Sequence, residues 1–491
     1  MDPEQQLINE RKKKLKTIRE LGINPYPYSF DVKDNSKDIL EKNKDLENEN
    51  KSKVSLAGRI VSMRKMGKIN FAHLQDQKGK IQIFVANDNI DKIDVELFKN
   101  LDVGDIIGIE GNVFRTKAGE ITINTKKLTL LTKSLRPLPE KWHGLKDVEI
   151  RYRKRYLDLI SNQEVKEIFI KRTKIIDSIR DFLNKKGFLE VETPILQPIY
   201  GGAAARPFKT FVHDIKADAY LSISPELYLK RLTVGGLEKV YTICKNFRNE
   251  SIDRFHNPEF TMIELYCAYV DYNDMMALTE EIVSHAAKEV NGTTKTKFGD
   301  NLIDFKIPWK RITMKDALKE YAKLDVEKMK DEELKKKVKE LKLKDVKEER
   351  GFMIQALFEE LVEDKLIQPT FITEYPKSVC PLTKEHRKDS FWVERFEAYV
   401  AGMELANAYS ELNDPVEQEK RFKEQLKEKK GHEDPHLMVH KVDHDFLEAL
   451  DIGMPPLGGV GIGIDRLVLL ITGQESLRDI ILFPFMKYEE S

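Results

Sequence analysis

Between Val54 and about Thr132 the chain is cut into short β-like segments whose number and order leave few folds open. Segments 54–64, 69–76, 80–86, 103–115 and 120–131 read as strands, and 92–100 as a short helix between the third and fourth. Gly67, Gly79, Gly104 and Gly119 punctuate them as turns. Alternation sorts the side chains. Phe71, His73 and Gln75 share one face of the second segment. Gln82 and Phe84 share one face of the third, with Ile81, Ile83 and Val85 behind.

Five strands with a helix between the third and fourth is the order of an OB-fold barrel. An outward aromatic beside an outward amide suits stacking on an unstacked base and reading its edge. Phe71 taken alone is better read as the cover of a barrel seam.

Length and charge narrow the rest. With 491 residues the chain has room for two or three domains, each with its own core. Lys+Arg and Asp+Glu number 83 each, so any basic footprint for nucleic acid must come from local clustering. Cys244, Cys267 and Cys380 are scattered and show no C-x-x-C spacing, which points away from a disulfide framework or zinc knuckle and toward a reducing compartment. The start of the sequence shows no signal-peptide pattern. The longest apolar stretch, around Leu467 to Ile471, falls far short of the roughly 18 residues of a membrane span. A soluble, cytoplasmic protein is expected.

Residues 5–21 read as a basic helix, with Ile8, Leu15, Ile18 and Leu21 at helical spacing and Gly22 as its stop. Lys12, Lys13, Lys14, Lys16 and Arg19 would either lie along an RNA backbone or form a solvated face. Residues 31–52 read as a loop. A linker with Arg136-Pro137-Leu138-Pro139 and a basic run from Arg151 to Arg155 leads into a helix over 164–186, closed by Gly187. A strand to Val191 stops before Pro194. Strands are expected to dominate 208–270 and mostly helix to fill 273–365, where 323–350 reads as a surface helical insertion. The chain then ends in strands, a Gly-rich turn and an apolar helix.

Three constellations carry chemistry. From Cys244 to Tyr266 the pattern is strand, polar loop, strand; alternation puts Arg248 and Glu250 on one face, and Phe260, Met262, Glu264 and Tyr266 on one face of the return strand. An arginine, an aromatic and carboxylates on one sheet surface suit a nucleotide, since the guanidinium binds phosphate with two hydrogen bonds and the ring offers a stacking surface. The second runs from Phe391 to Asn413. If Ala401-Gly402 is a two-residue hairpin turn, Tyr399 faces Glu404, and Glu397 becomes a diagonal neighbour on the same side. Two carboxylates so close call for a cation, and Mg²⁺ shared with substrate phosphates fits. Asn407, Tyr409 and Glu411 alternate onto the opposite face, so a bulge or kink near 405–407 is required to bring them to one site. In the third, the glycines of Pro455 to Gly463 precede a helix starting near Asp465, with Arg466 in its first turn, where an anion is welcome. The chain has neither a G-x-x-x-x-G-K-[ST] phosphate loop nor a G-x-G-x-x-G turn after a strand.

At these residues the sequence resembles the class II aminoacyl-tRNA synthetases of the lysyl subgroup, which carry an N-terminal OB-fold. The likeness covers nearly the whole chain. Its signature motifs resemble the helix and strand leading to Pro194, Phe247-Arg248-Asn249-Glu250 through Tyr266, and Gly461-Ile462-Gly463-Ile464-Asp465-Arg466. Further similar stretches run from Gly201 to Phe208, from Ser224 to Lys230 and from Tyr409 to Asp414. The fold so implied is α+β: a five-stranded OB-fold barrel and a class II domain with a mainly antiparallel sheet flanked by helices. Expected boundaries are 1–145 for the N-terminal helix and anticodon-binding barrel, 146–163 for a linker, and 164–491 for the catalytic domain with its helical insertion at about 273–365.

The resemblance also implies roles. Arg248 and Arg466 would be catalytic, holding the α-phosphate and lysine carboxylate, and the γ-phosphate, respectively. Phe260 would stack on adenine, with Glu250, His256 and Asn257 around the nucleotide; Glu397 and Glu404 would ligate Mg²⁺, with Glu404 also beside ATP. Glu226 and the Gly202 loop would take the lysine α-amino group. Glu264, Tyr266 and Glu411 would surround the ε-ammonium, with Asn407 at the carboxylate and Tyr409 also in the pocket. Arg64, Phe71, Gln82 and Glu120 would read the anticodon. The implied partners are ATP, L-lysine, a lysine-accepting tRNA and a second copy of the chain. One departure is the placement of Arg254 in the loop before His256, which leaves its role open. A buried ammonium must be paired, which Glu264 and Glu411 would do; an aspartyl- or asparaginyl-type pocket would need an arginine there instead. A stand-alone lysyltransferase would lack the barrel, and a non-catalytic RNA-binding paralogue would be expected to lose Arg248, Glu404 or Arg466.

Overall fold

The five barrel strands are β1 (Asn50–Met66), β2 (Ile69–Gln75), β3 (Lys80–Ala86), β4 (Ile106–Arg115) and β5 (Ile121–Thr132), closed in the order β1-β2-β3-β5-β4 with β3 and β5 parallel. The computed structural model describes residues 2–47, 50–139, 145, 147–427 and 441–487. It falls into two compact units, Met1–Leu145 and Lys146–Ser491.

In the first unit the expected alternation holds: Ala72, Leu74, Ile81, Ile83 and Val85 point into the barrel, while Phe71, His73, Gln82 and Phe84 stay partly exposed. The helix Lys92–Lys99 plugs the barrel with Leu97 and Phe98. The helix Pro3–Glu20 starts where Asp2 accepts from the Glu4 amide, with proline in its first turn, and stops at Gly22 (φ 75°). It buries Ile8, Leu15 and Ile18, while Lys12, Lys13, Lys16 and Arg19 stay exposed and Lys14 pairs with Asp102. Residues 31–52 are not all loop. Asn35 caps a helix over Ser36–Lys42, accepting from the Asp38 amide at 3.0 Å, a start signal that the polar composition hid.

The second unit adds β6 (Leu189–Glu190), β7 (Leu196–Gln197), β8 (Lys209–Val212), β9 (Ala217–Leu221), β10 (Lys239–Phe247), β11 (Glu259–Ala268), β12 (Lys295–Phe298), β13 (Asn301–Asp304), β14 (Lys310–Thr313), β15 (Thr370–Pro376), β16 (Trp392–Val400), β17 (Met403–Ser410) and β18 (Leu457–Gly463). Eight of them form one sheet in the order β14-β15-β16-β17-β18-β11-β10-β6, antiparallel except at its two edge pairs. Ile263, Leu265, Phe396, Ala398, Ala406, Ala408, Val460 and Ile462 belong to one core with side chains from the helices Gln163–Lys185, Tyr272–Asn291 and Ile464–Thr472. That core fixes the sheet and leaves its other face to the site. The helix Tyr272–Asn291 is held by a capping box of Asp271 with Asp274 and ends at Gly292 (φ 70°).

Two expectations need revision here. Residues 148–161, read as linker, hold the helices Val148–Arg153 and Arg155–Ser161, and the buried Arg155 pairs with Asp158 at 2.6 Å and donates to the Arg478 carbonyl. Residues 140–144 and 146, which precede that stretch, lie outside the described residues. Strands do dominate 208–270, around the helix Glu226–Val234, and 273–365 is mostly helical, with the short β12, β13 and β14 beside its helices. The glycines at 458–463 lie in a strand at the heart of the sheet, because they are needed where side chains would fill the space above it.

Candidate active site

A cavity of about 970 Å³ opens on the free face of the large sheet. Its floor is three strands wide. Glu264 on β11 faces Gly461 on β18, which faces Asn407 on β17; Tyr266, Gly459 and Tyr409 form the parallel row. The middle strand has no side chains at these positions, so the groups on either side reach over it. A Cβ at Gly461 would come within 2.9 Å of the Met262 Cε.

The β16–β17 hairpin supplies the adjoining wall. Ala401 (φ 53°) and Gly402 (φ 74°) make a two-residue turn of the type that matches strand twist, and Tyr399 pairs with Glu404 as expected. The required bulge is present. Ala398 pairs with Ala406 while Tyr399 pairs with Glu404, so Leu405 is the extra residue. After it the parity of the strand changes, and Asn407 and Tyr409 join Glu404, Glu397 and Arg395 on the cavity face.

At one end the cavity is acidic. Glu264 accepts from Ser224 Oγ at 2.9 Å and from the Tyr266 hydroxyl at 3.3 Å. Burial, together with nearby Glu226, pushes its carboxyl up to about 8. Gly202 (φ 86°) packs so closely that a Cβ would meet Glu226 Cβ at 3.0 Å and Ser224 Oγ at 3.1 Å. Glu411 is not among the lining side chains. It is fully buried behind Gly459, 2.5 Å from the Nζ of Lys230, which lies 2.6 Å from Glu226. Burial pushes Glu411 up to about 8 as well, against the pull of Lys230.

Farther along, Arg248 follows the last residue of β10, and its Cζ lies 5.0 Å from the centre of the Phe260 ring. It donates weakly to the Ile223 carbonyl at 3.5 Å, and its Nε has no partner among the described residues. A guanidinium held this way has donors left for an anion. Arg466, in the first turn of the helix Ile464–Thr472, lies 3.3 Å from Glu404. Asp465 is structural: it accepts from the Thr261 amide at 2.8 Å and pairs with Arg172 at 2.7 Å. Glu250, His256 and Asn257 also line the cavity; His256 is tied to Asp253 at 2.8 Å, and Arg254 is not a lining residue.

On the barrel, Phe71 pairs across β2–β3 with Phe84 (ring centres 5.2 Å), and Phe84 meets Phe114 at 5.7 Å. Arg64 pairs with Phe71 across β1–β2. Gln82 donates to Glu120 at 2.7 Å, and His73 bridges Glu120 and Ser62. An aromatic surface thus lies beside a network of hydrogen-bonding side chains.

The family of tRNA synthetases class II (D, K and N) matches residues 147–487, and the OB-fold nucleic acid binding domain family matches residues 54–131. The chain belongs to the class II tRNA synthetases. It is similar to "Lysine--tRNA ligase 2" of Methanosarcina mazei, 54% identical over 97% of this chain and 93% of that protein. It is also similar to the proteins named "Lysine--tRNA ligase" of Clostridium novyi (52% over 98% and 94%) and Thermoanaerobacter pseudethanolicus (53% over 98% and 96%).

A divalent cation suits the donor set of this synthetase only in company with phosphate. Among the described residues no group of three or more His, Cys, Asp or Glu side chains could hold a metal ion by itself. Glu404 is open to the cavity, whereas Glu397 already accepts from Arg395, Asn407 Nδ2 (3.2 Å), and the hydroxyls of Tyr375 (2.8 Å) and Tyr399 (2.5 Å). Those four donors fill a carboxylate's lone-pair sites. Mg²⁺ is commonly held by one or two carboxylates plus substrate phosphates, so Glu404 fits as the first ligand and Glu397 as one that must release a donor to join.

Sequence reading missed several charged groups that line the synthetase's cavity or lie just behind its lining. Lys230 stands four residues after Glu226 on one helix face, a spacing that could have exposed it. Arg395 donates to Asn407 Oδ1 at 3.1 Å and lies 4.4 Å from the Tyr375 ring centre. Glu363, from the insertion, accepts from Tyr399 at 2.8 Å and is pushed by burial up to about 8; no periodicity marked it. Among the described residues no helix is long and apolar enough to cross a membrane.

Proposed function

We propose that this chain is a lysine–tRNA ligase that activates L-lysine with ATP and transfers it to the terminal ribose of its tRNA. One observation carries the reading: Glu226 and Glu264 line a cavity that also presents the partly unpaired Arg248, and a third carboxylate, Glu411, is buried beside them. That polarity suits an amino acid with two ammonium groups and one carboxylate. The names of relatives at 52–54% identity support the same reading.

In this scheme Glu226 and the Gly202 loop take the α-ammonium, while Glu264, Tyr266 and Glu411 take the ε-ammonium. Arg248, Asn407 and Tyr409 face the carboxylate side. The carboxylate attacks the α-phosphorus of ATP in line, and pyrophosphate leaves. The nucleophile is already an anion, so no general base is needed, and rate comes from positioning and charge neutralisation by Arg248 and Arg466. Phe260 stacks on adenine, with Glu250, His256 and Asn257 around the nucleotide. Mg²⁺ bound by Glu404 and Glu397 with the phosphates would supply further neutralisation. Arg64, Phe71, Gln82 and Glu120 read the anticodon. The working form is a cytoplasmic homodimer, checked by sedimentation.

ATP–pyrophosphate exchange with each of the twenty amino acids tests the proposal. Exchange with lysine alone is expected; exchange with aspartate or asparagine would overturn the pocket assignment, and none at all would favour a binding protein.

A further inference from the structure

Lys230 is as deeply buried as any charged group among the described residues, and its partners are Glu226, which lines the cavity, and the buried Glu411. Its Nζ lies 2.6 Å from Glu226 Oε1 and 2.5 Å from Glu411 Oε2, with no side-chain exposure. Glu226 lines the cavity. Neither Glu411 oxygen has a hydrogen bond among the described residues; Oε2 is held by the ion pair with Lys230, and Oε1 lies where a Cβ on Gly459 would come within 2.2 Å. The ammonium thus holds one oxygen of each carboxylate and leaves Glu411 Oε1 toward the cavity floor. A buried ion pair is weak support for stability alone, since apolar replacements often serve as well.

Charge makes the second half of the case. Glu226, Glu264 and Glu411 can bring three negative charges; Lys230 and Arg248 bring two positive ones, leaving a single negative charge. Lysine with both amines protonated carries a single positive charge. With lysine bound and Lys230 absent, one negative charge would be left over, and the pocket would shed it by keeping a proton on a carboxyl that should meet an ammonium.

We infer that Lys230 is a specificity-determining positioning residue, an internal ammonium that orients Glu226 and Glu411 and matches the pocket's charge to a singly positive amino acid. This rests on the reading of lysine as substrate. Full-length Lys230→Met, Lys230→Gln and Lys230→Arg, checked for folding by circular dichroism, are compared by ATP–pyrophosphate exchange. In Lys230→Met and Lys230→Gln the KM for lysine is expected to rise about a hundredfold, as for other broken buried pairs. The KM for ATP should stay within about twofold, since the ion-pair partners of Lys230 are Glu226 and Glu411 and neither is assigned to ATP. Lys230→Arg should recover part of the lysine KM. Cadaverine, a dication without a carboxylate, should gain as a competitor relative to lysine in Lys230→Met. A folded Lys230→Met with unchanged lysine KM, or with both KM values raised alike, would overturn the inference. If Lys230→Met does not fold, equal lysine KM values for Lys230→Arg and Lys230→Gln would do so. A wild-type protein with no lysine-dependent exchange would instead sink the underlying reading.

Discussion

Gly459 stands directly between Tyr266 and Tyr409 on the neighbouring strands, and a Cβ there would come within 2.4 Å of the Tyr266 ring and 2.2 Å of Glu411 Oε1. Neither neighbour can retreat, because both are buried. Gly459→Ala should therefore lower kcat/KM for lysine about a hundredfold, an overpacking cost expressed in the pocket. Lysine titration of the exchange assay checks it, and a normal lysine KM would refute the crowding argument.

Lysine binding should release protons. The Glu264 carboxyl is pushed up to about 8 by burial, so at pH 7 it is mostly protonated until an ammonium arrives and ionises it. Affinity for lysine should then rise with pH up to about 8, by close to tenfold per unit below that value, and level off above it. Calorimetry in buffers of different ionisation enthalpy should count about one proton released at pH 7, or up to two if Glu411 follows. Proton uptake would contradict the assignment.

Arg248→Lys keeps a charge at the site but loses the planar fork. Adenylate formation should fall by about a hundredfold or more, because two-pronged phosphate contact cannot be remade by an ammonium. Single-turnover formation of the adenylate is the measurement; near-normal rates would remove Arg248 from the reaction.

Phe71→Ala touches only the barrel. It should reduce kcat/KM for tRNA charging about tenfold, the worth of one lost base stack, while leaving lysine-dependent pyrophosphate exchange unchanged. Equal losses in both assays would mean a folding defect rather than a lost contact with RNA.

Much of this was legible in the sequence, for reasons tied to period. Alternation separated Phe71 and Gln82 from Ile81 and Ile83, and it put Phe260, Glu264 and Tyr266 on one face of β11. The clash between the parity of Glu404 and that of Asn407 demanded a bulge, which Leu405 supplies. Glycine was harder to interpret. A run such as Leu457 to Gly463 has no side-chain pattern, so strand and turn look alike until neighbouring strands are present. Lys230 and Glu363 escaped because burial of a charge depends on partners distant in sequence: Glu411 is brought to the first, and Tyr399 to the second.

The extra residue at Leu405 makes the chemistry of β17 depend on a count as much as on identity. Without it, Ala406 and Ala408 would turn to the cavity, and Asn407 and Tyr409 would be driven into the apolar layer beneath. A one-residue deletion there would preserve every functional side chain in the sequence and remove two of them from the site.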